Sequence, residues 1–247
     1  MNPSDLDRGE ILTYLHTPSL DADLSAALDV YIARLCDAAQ PRSIYRVLPV
    51  EQTAEGVILG GLPLLGEDIA RHLSGCKEAV LLAATLSASV DALIRRASVT
   101  DMTQAVMLDA IAGAAVERVC NDLETEIRTK YPYPYYTARF SAGYGDFPIT
   151  QQGDLIRMLD APRRIGLTVT TAQTLLPMKS VTAVIGLSHS PVQDARRFCC
   201  GKSCAECPYF RDCPGALQRS SESNRYDRRC DRFRFGTKTD GQRFGCD

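Results

Sequence analysis

Arg139-Phe-Ser-Ala-Gly-Tyr-Gly-Asp-Phe-Pro148, and beyond it Pro177-Met-Lys-Ser-Val-Thr-Ala-Val-Ile-Gly-Leu-Ser-His189, form the stretch from which the fold is read. The second piece places Val181, Ala183, Ile185 and Leu187 on one side, the alternation of a half-buried strand. The first reads as a loop leading into a helix at about 151–159. In that loop an arginine stands four residues before a Gly-Tyr pair. A guanidinium can grip a carboxylate through two bonds, glycine lets backbone approach closely, and tyrosine offers a ring face and a hydroxyl. Such a loop suits a small ligand that carries an acid. By itself the pattern also fits an ordinary solvated loop.

Upstream, residues 101–129 predict the longest helix. Its almost wholly apolar stripe is Met102, Ala105, Val106, Asp109, Ala112, Val116, Val119, Leu123 and Ile127, and its alanines imply close packing against another element. Tyr131-Pro-Tyr-Pro-Tyr-Tyr136 stops it, because proline cannot continue a helix. Further helices are expected at 20–39, 66–74 and 87–97, and strands at 43–48, 56–60, 79–85 and 167–171. This order lacks a regular βαβ beat, and no glycine-rich phosphate loop occurs. The expected class is α+β: a twisted, largely antiparallel sheet with flanking helices over residues 1–195, followed by a small Cys-rich extension over 196–247.

Taken over its fifty residues, the 139–189 segment resembles the activation (reactivation) domain of cobalamin-dependent methionine synthase. The resemblance implies that Arg139, Gly143 and Tyr144 occupy the Arg-x-x-x-Gly-Tyr positions that bind S-adenosylmethionine. Arg139 would then hold the methionyl carboxylate, and the backbone from Ser141 to Tyr144 would line the ligand. Aligning residues 112–128 with the family's preceding helix puts Glu117 where a glutamate approaches the ligand's amino group or ribose. The chain departs from the full-length enzyme after the tyrosine. Gly145-Asp146-Phe147-Pro148-Ile149-Thr150 replaces Pro-x-Cys-Pro-x-His, and the family's later site tyrosine has no counterpart after His189. Gly-Asp-Phe-Pro together with Lys179-Ser180 looks more like stand-alone activation proteins. Asp146 reads either as a ligand contact or as a turn-stabilising aspartate.

Ten cysteines are unevenly spread: Cys36, Cys76 and Cys120 lie in apolar or helical contexts, and the other seven fall between Cys199 and Cys246. The three read as buried free thiols. Cys200, Cys204, Cys207 and Cys213 have the spacing C-x3-C-x2-C-x5-C, compact enough to wrap one soft metal centre. Cys-Pro at 207–208 and 213–214 favours an iron–sulfur cluster; zinc is the alternative, and a site without metal is the third reading. The arginine-rich residues after Cys213 read as a solvated tail or a docking surface for an acidic partner.

A formal charge of −2 gives no reason to expect nucleic acid or an anionic membrane as partner. No apolar run approaches the ~18 residues that span a bilayer, and the polar N-terminus has no signal-peptide core, so a cytoplasmic protein is expected. The expected role is that of an activation subunit, incomplete as an enzyme alone. It would bind S-adenosylmethionine for the reductive methylation of cobalamin held by a partner methionine synthase that lacks this module. Flavodoxin or another electron donor is a second expected partner. A non-catalytic S-adenosylmethionine sensor or scaffold, an activator of another corrinoid-dependent methyltransferase, and a zinc-tailed nucleic-acid module are the competing readings.

Overall fold

Asp101 starts the helix that organises the molecule. Its carboxylate accepts the Gln104 N–H at 3.1 Å, and the helix runs Met102–Lys130. In the computed structural model, which describes residues 1–192, this is α5. It follows α1 (Arg8–Tyr14), α2 (Ala22–Ala38), β1 (Arg42–Thr53), β2 (Gly56–Leu59), β3 (Leu62–Leu64), α3 (Glu67–His72), β4 (Glu78–Thr85) and α4 (Ala88–Thr100). After it come β5 (Tyr135–Tyr136), α6 (Gln152–Leu159), α7 (Ala161–Ile165), β6 (Thr168–Val169), β7 (Leu175–Leu176) and β8 (Ser180–Ser188).

One sheet has the strand order β3-β2-β1-β4-β8-β5, antiparallel throughout, and β6 and β7 form a separate short pair. The fold is therefore α+β with an antiparallel sheet. The first ninety residues are no separate subdomain, since β1 and β4 are laddered into the sheet that β8 completes. Among the described residues, no helix is long and apolar enough to cross a membrane. Cys200, Cys204, Cys207 and Cys213 lie outside the described residues.

Both faces of the sheet are covered. Leu81, Ala83 and Val184 pack with Ile69 of α3 and Leu73 just after it, Phe147, and Leu155 and Ile156 of α6. Val80, Leu82, Ala183, Ile185 and Leu187 pack on the opposite face with Leu123 and Ile127 of α5. Consequently β8 is not half-buried. Thr182 to Ser188 are all buried, because β8 is an inner strand with helices on either side. Thr182, on the face where polarity was expected, is hydrogen-bonded to Gln152 at 2.7 Å.

The stripe on α5 also differs from its sequence reading. Met102 and Val106 are 64% and 52% exposed, while Met107, Leu108, Ala110, Ile111, Ala114, Ala115 and Cys120, outside that stripe, are buried together with its Ala105, Ala112, Val116, Leu123 and Ile127. The first half of the helix is wrapped by α1, α2 and α4, so burial extends round most of its circumference. Alanines and Gly113 permit this: a Cβ at Gly113 would sit 3.0 Å from the Tyr14 ring. Strand β1 continues past Pro49, where the sequence pattern breaks. Pro49 donates nothing, yet its carbonyl still accepts the Gly60 N–H.

Gly186 in β8 has no room for a side chain. An added Cβ would lie 2.5 Å from Cys76 Sγ and 3.0 Å from Thr137 Cγ2. Gly186→Ala is expected to cost about 2 kcal/mol by overpacking, read from the urea midpoint. Adding Cys76→Ala should give a total smaller than the sum of the single losses, and full additivity would count against the clash.

Candidate functional site

Segment 135–140 runs antiparallel along the end of β8, but not in unbroken register. Tyr136 pairs with Leu187, Thr137 N–H donates to Gly186 O at 3.0 Å, and Phe140 then pairs with Val184 through reciprocal bonds of 3.0 and 2.8 Å. Ala138 and Arg139 thus stand opposite the single residue Ile185. This is a β-bulge, a device that re-aims a side chain.

The re-aimed side chain is Arg139. It is 8% exposed and lies against α5, with Nη2 2.8 Å from Glu117 Oε2 and Nε 2.9 Å from Glu124 Oε1. Nη2 also reaches Asn121 Oδ1 at 3.3 Å. Glu117, Asn121 and Glu124 are spaced i, i+4, i+7, so one face of α5 presents all three. Arg128 lies 3.8 Å from the other oxygen of Glu124, so two carboxylates meet two guanidiniums and the cluster is formally neutral. Cys120 sits within it. Burial, reinforced by the two glutamates and opposed by Arg139, pushes its thiol up to about 12. Cys76 is pushed up to about 11 by burial, and Cys36 is raised by the same cause. All three are buried free thiols, held protonated and unreactive.

After the bulge the chain folds into two overlapping turns. Tyr144 N–H donates to Ser141 O at 3.0 Å, Gly143 N–H to Phe147 O at 2.8 Å, and Phe147 N–H to Tyr144 O at 2.9 Å. Gly143 and Gly145 have φ of +95° and +54°, a region where a side chain is strained. Phe147 is buried and anchors the turns in the core, while Gly143 is exposed and Ser141 and Tyr144 are half-buried. The Tyr144 ring meets Phe140 edge-on at 5.8 Å.

Asp146 proves to be a structural contact. Its carboxylate accepts the Glu67 and Asp68 N–H groups at 2.7 and 2.9 Å, which caps α3. His72, at the far end of α3, is 5% exposed. Its Nε2 lies 2.9 Å from Ala138 O and 2.7 Å from Thr137 Oγ1, and its ring lies 4.7 Å from that of Phe140.

The structure therefore brings Arg139 and Glu117 together and places Ser141, Gly143 and Tyr144 in the adjoining turns. It adds Glu124, Asn121 and His72, which the sequence reading did not single out. The i, i+4, i+7 spacing of Glu117, Asn121 and Glu124 was a usable signal for the first two. A separate cleft of about 300 Å³, lined by Met1, Asp5, Ser43, Arg118 and Glu126 among others, contains none of the expected site residues. Its arginine is engaged by Asp122 and the Asp5 carbonyl.

No family model matches the chain, and no curated protein matches it in sequence. Among solved structures, it resembles the crystal structure of the MetH reactivation domain bound to AdoHcy, with a TM-score of 0.60. The match covers 76% of each chain at 15% identity. The fold is that of the MetH reactivation domain. At 15% identity the likeness to the reactivation domain is one of architecture.

Proposed function

We propose that this chain binds S-adenosylmethionine and serves as the activation subunit for a partner methionine synthase whose cobalamin must be reductively methylated. The observation that carries the reading is the bulge at Ala138–Arg139. It turns the motif arginine towards Glu117 at the mouth of a Gly-Tyr turn, in a fold shared with a domain solved with AdoHcy bound. The cluster's charges suit this ligand. Arg139 complements its carboxylate, while the carboxylates of Glu117 and Glu124 complement its ammonium and sulfonium groups. Ser141, Gly143 and Tyr144 would supply backbone and ring contacts along the rest of the molecule. In the methyl transfer the S–CH3 bond breaks and a bond to the partner's reduced cobalt forms, with S-adenosylhomocysteine leaving with the sulfur electron pair. The protein's part is positioning, and no general base is needed. The electron comes from flavodoxin or another donor. An iron–sulfur cluster or zinc ion on Cys200, Cys204, Cys207 and Cys213, in a tail module at 196–247, belongs to the same proposal.

The test is anaerobic calorimetric titration of the full chain with S-adenosylmethionine, beside Arg139→Lys. Lysine keeps the charge that Glu117 and Glu124 require but loses the planar fork. Affinity should fall at least ~tenfold with circular dichroism unchanged. A folded wild type that takes up no S-adenosylmethionine would overturn the reading. Binding without reactivation of any corrinoid protein would move it to the sensor class.

A further inference from the structure

We infer that α3 is a clamp that holds the Arg139–Asp146 loop in its binding shape, with His72 and Asp146 as positioning residues. The inference rests on the reading of that loop as an S-adenosylmethionine site. A helix of six residues is only ~9 Å long, yet its two ends are fastened to the two ends of one loop. At its N-terminus the Asp146 carboxylate takes the Glu67 and Asp68 N–H groups, and Asp68 in return accepts the Asp146 N–H at 3.2 Å. At its C-terminus His72 meets the residues on both sides of Arg139, the Ala138 carbonyl by a hydrogen bond and the Phe140 ring by a tilted ring contact. Between these pins Ile69, and just beyond them Leu73, share a core with Phe147.

The bulge explains why the His72 bond matters. Opposite Ile185 the strand has one residue too many, and the surplus residue falls outside the ladder. His72 Nε2–H at 2.9 Å, with the Thr137 hydroxyl at 3.2 Å, supplies the donors for Ala138 O that β8 does not. The ring is neutral and carries its proton on Nε2, because Nδ1 is buried and makes no hydrogen bond. The other pin is equally specific. A Cβ at Gly66 would lie 2.6 Å from Asp146 Oδ1, and one at Gly145 would lie 2.0 Å from Asp68 Oδ2. A loop rich in glycine is costly to order on binding, and a clamp that orders it beforehand removes that cost from the binding step.

The test uses the full chain as wild type, His72→Phe, His72→Gln and Asp146→Asn. Peptide-resolved hydrogen exchange is measured alongside S-adenosylmethionine titration. Loss of a pin should speed exchange of the Phe140, Gly143, Tyr144 and Phe147 amides ~tenfold, the equivalent of one hydrogen bond, and weaken the ligand by a similar factor. The urea midpoint of the remaining sheet should stay in place. His72→Gln, which keeps a donor, should recover part of the loss that His72→Phe shows. Unchanged loop exchange and affinity in both His72→Phe and Asp146→Asn would overturn the clamp, as would an acceleration spread evenly over β4 and β8. If the wild type binds no S-adenosylmethionine but loop exchange still rises locally, the clamp stands and the ligand assignment falls.

Discussion

Arg139→Ala is expected to lower the unfolding free energy by about 3 kcal/mol, in addition to abolishing S-adenosylmethionine binding. The arginine side chain is 8% exposed, and both Glu117 and Glu124 lie within 3 Å of it at 22% exposure. Removing it leaves Glu117 partly desolvated with no counter-charge, and Glu124 with only the more distant Arg128 at 3.8 Å. Their partial access to water places the loss at the lower end of the 3–5 kcal/mol typical of a broken buried pair. The same logic predicts rescue. Arg139→Ala combined with Glu117→Gln and Glu124→Gln should regain most of the stability but none of the ligand affinity. Urea unfolding of the single and triple variants measures the first, and calorimetry measures the second. A single variant that loses under about 1 kcal/mol would show that the cluster is worth no more than a surface ion pair.

Acid should weaken the fold through His72. Burial lowers its pKa from 6.5 to about 4, a cause only partly opposed by the bond to the Ala138 carbonyl. Between those values the unfolded chain carries a proton on this residue that the folded ring refuses. The unfolded state therefore binds more protons, and stability falls as pH drops. The contribution is fully present above pH 6.5 and lost progressively as pH falls towards 4, a total of about 3 kcal/mol at 1.36 kcal/mol per unit. Carboxylates also titrate near the lower end, so the informative quantity is the difference between wild type and His72→Phe. Phenylalanine keeps the ring against Phe140 and cannot take the proton. Its unfolding free energy should vary less between pH 6.5 and pH 4.5, and parallel curves would refute the assignment.

Local rules made much of this architecture legible. Asp101 followed by a long alanine-rich run gives α5 nearly to the residue, and the apolar stretch after Lys77 gives β4. The errors arise where a neighbour decides. Alternation in β8 suggested one wet face, but α3 and α6 cover it, and a strand cannot encode how many layers lie above it. The α5 stripe kept Ala105, Ala112, Val116, Leu123 and Ile127 but understated the burial, because three helices surround the first half of the helix and bury residues beyond any single line. Within the site, Glu117 was reached by alignment and Arg139 by its motif. Glu124 shares the same helical face but lay outside any motif. Asp146 was read as a ligand contact or a turn residue, and the backbone groups it holds come from 78 and 79 positions earlier in the chain, which no local pattern reveals.

The surplus residue at Ala138–Arg139 sets the parity of everything that follows it. Tyr136, two before Ala138, faces α5 along with Leu187, and Phe140 faces the opposite core with Val184. In an unbroken strand residues 136 and 140 would share a face, and position 139 would point among the aromatics. One residue therefore separates an arginine that meets carboxylates from an arginine stranded in hydrocarbon. A relative with one residue fewer between Thr137 and Phe140 could keep this fold, and even its Gly-Tyr turn, while losing the site altogether. The interval from the threonine to the phenylalanine is thus as diagnostic as the motif itself.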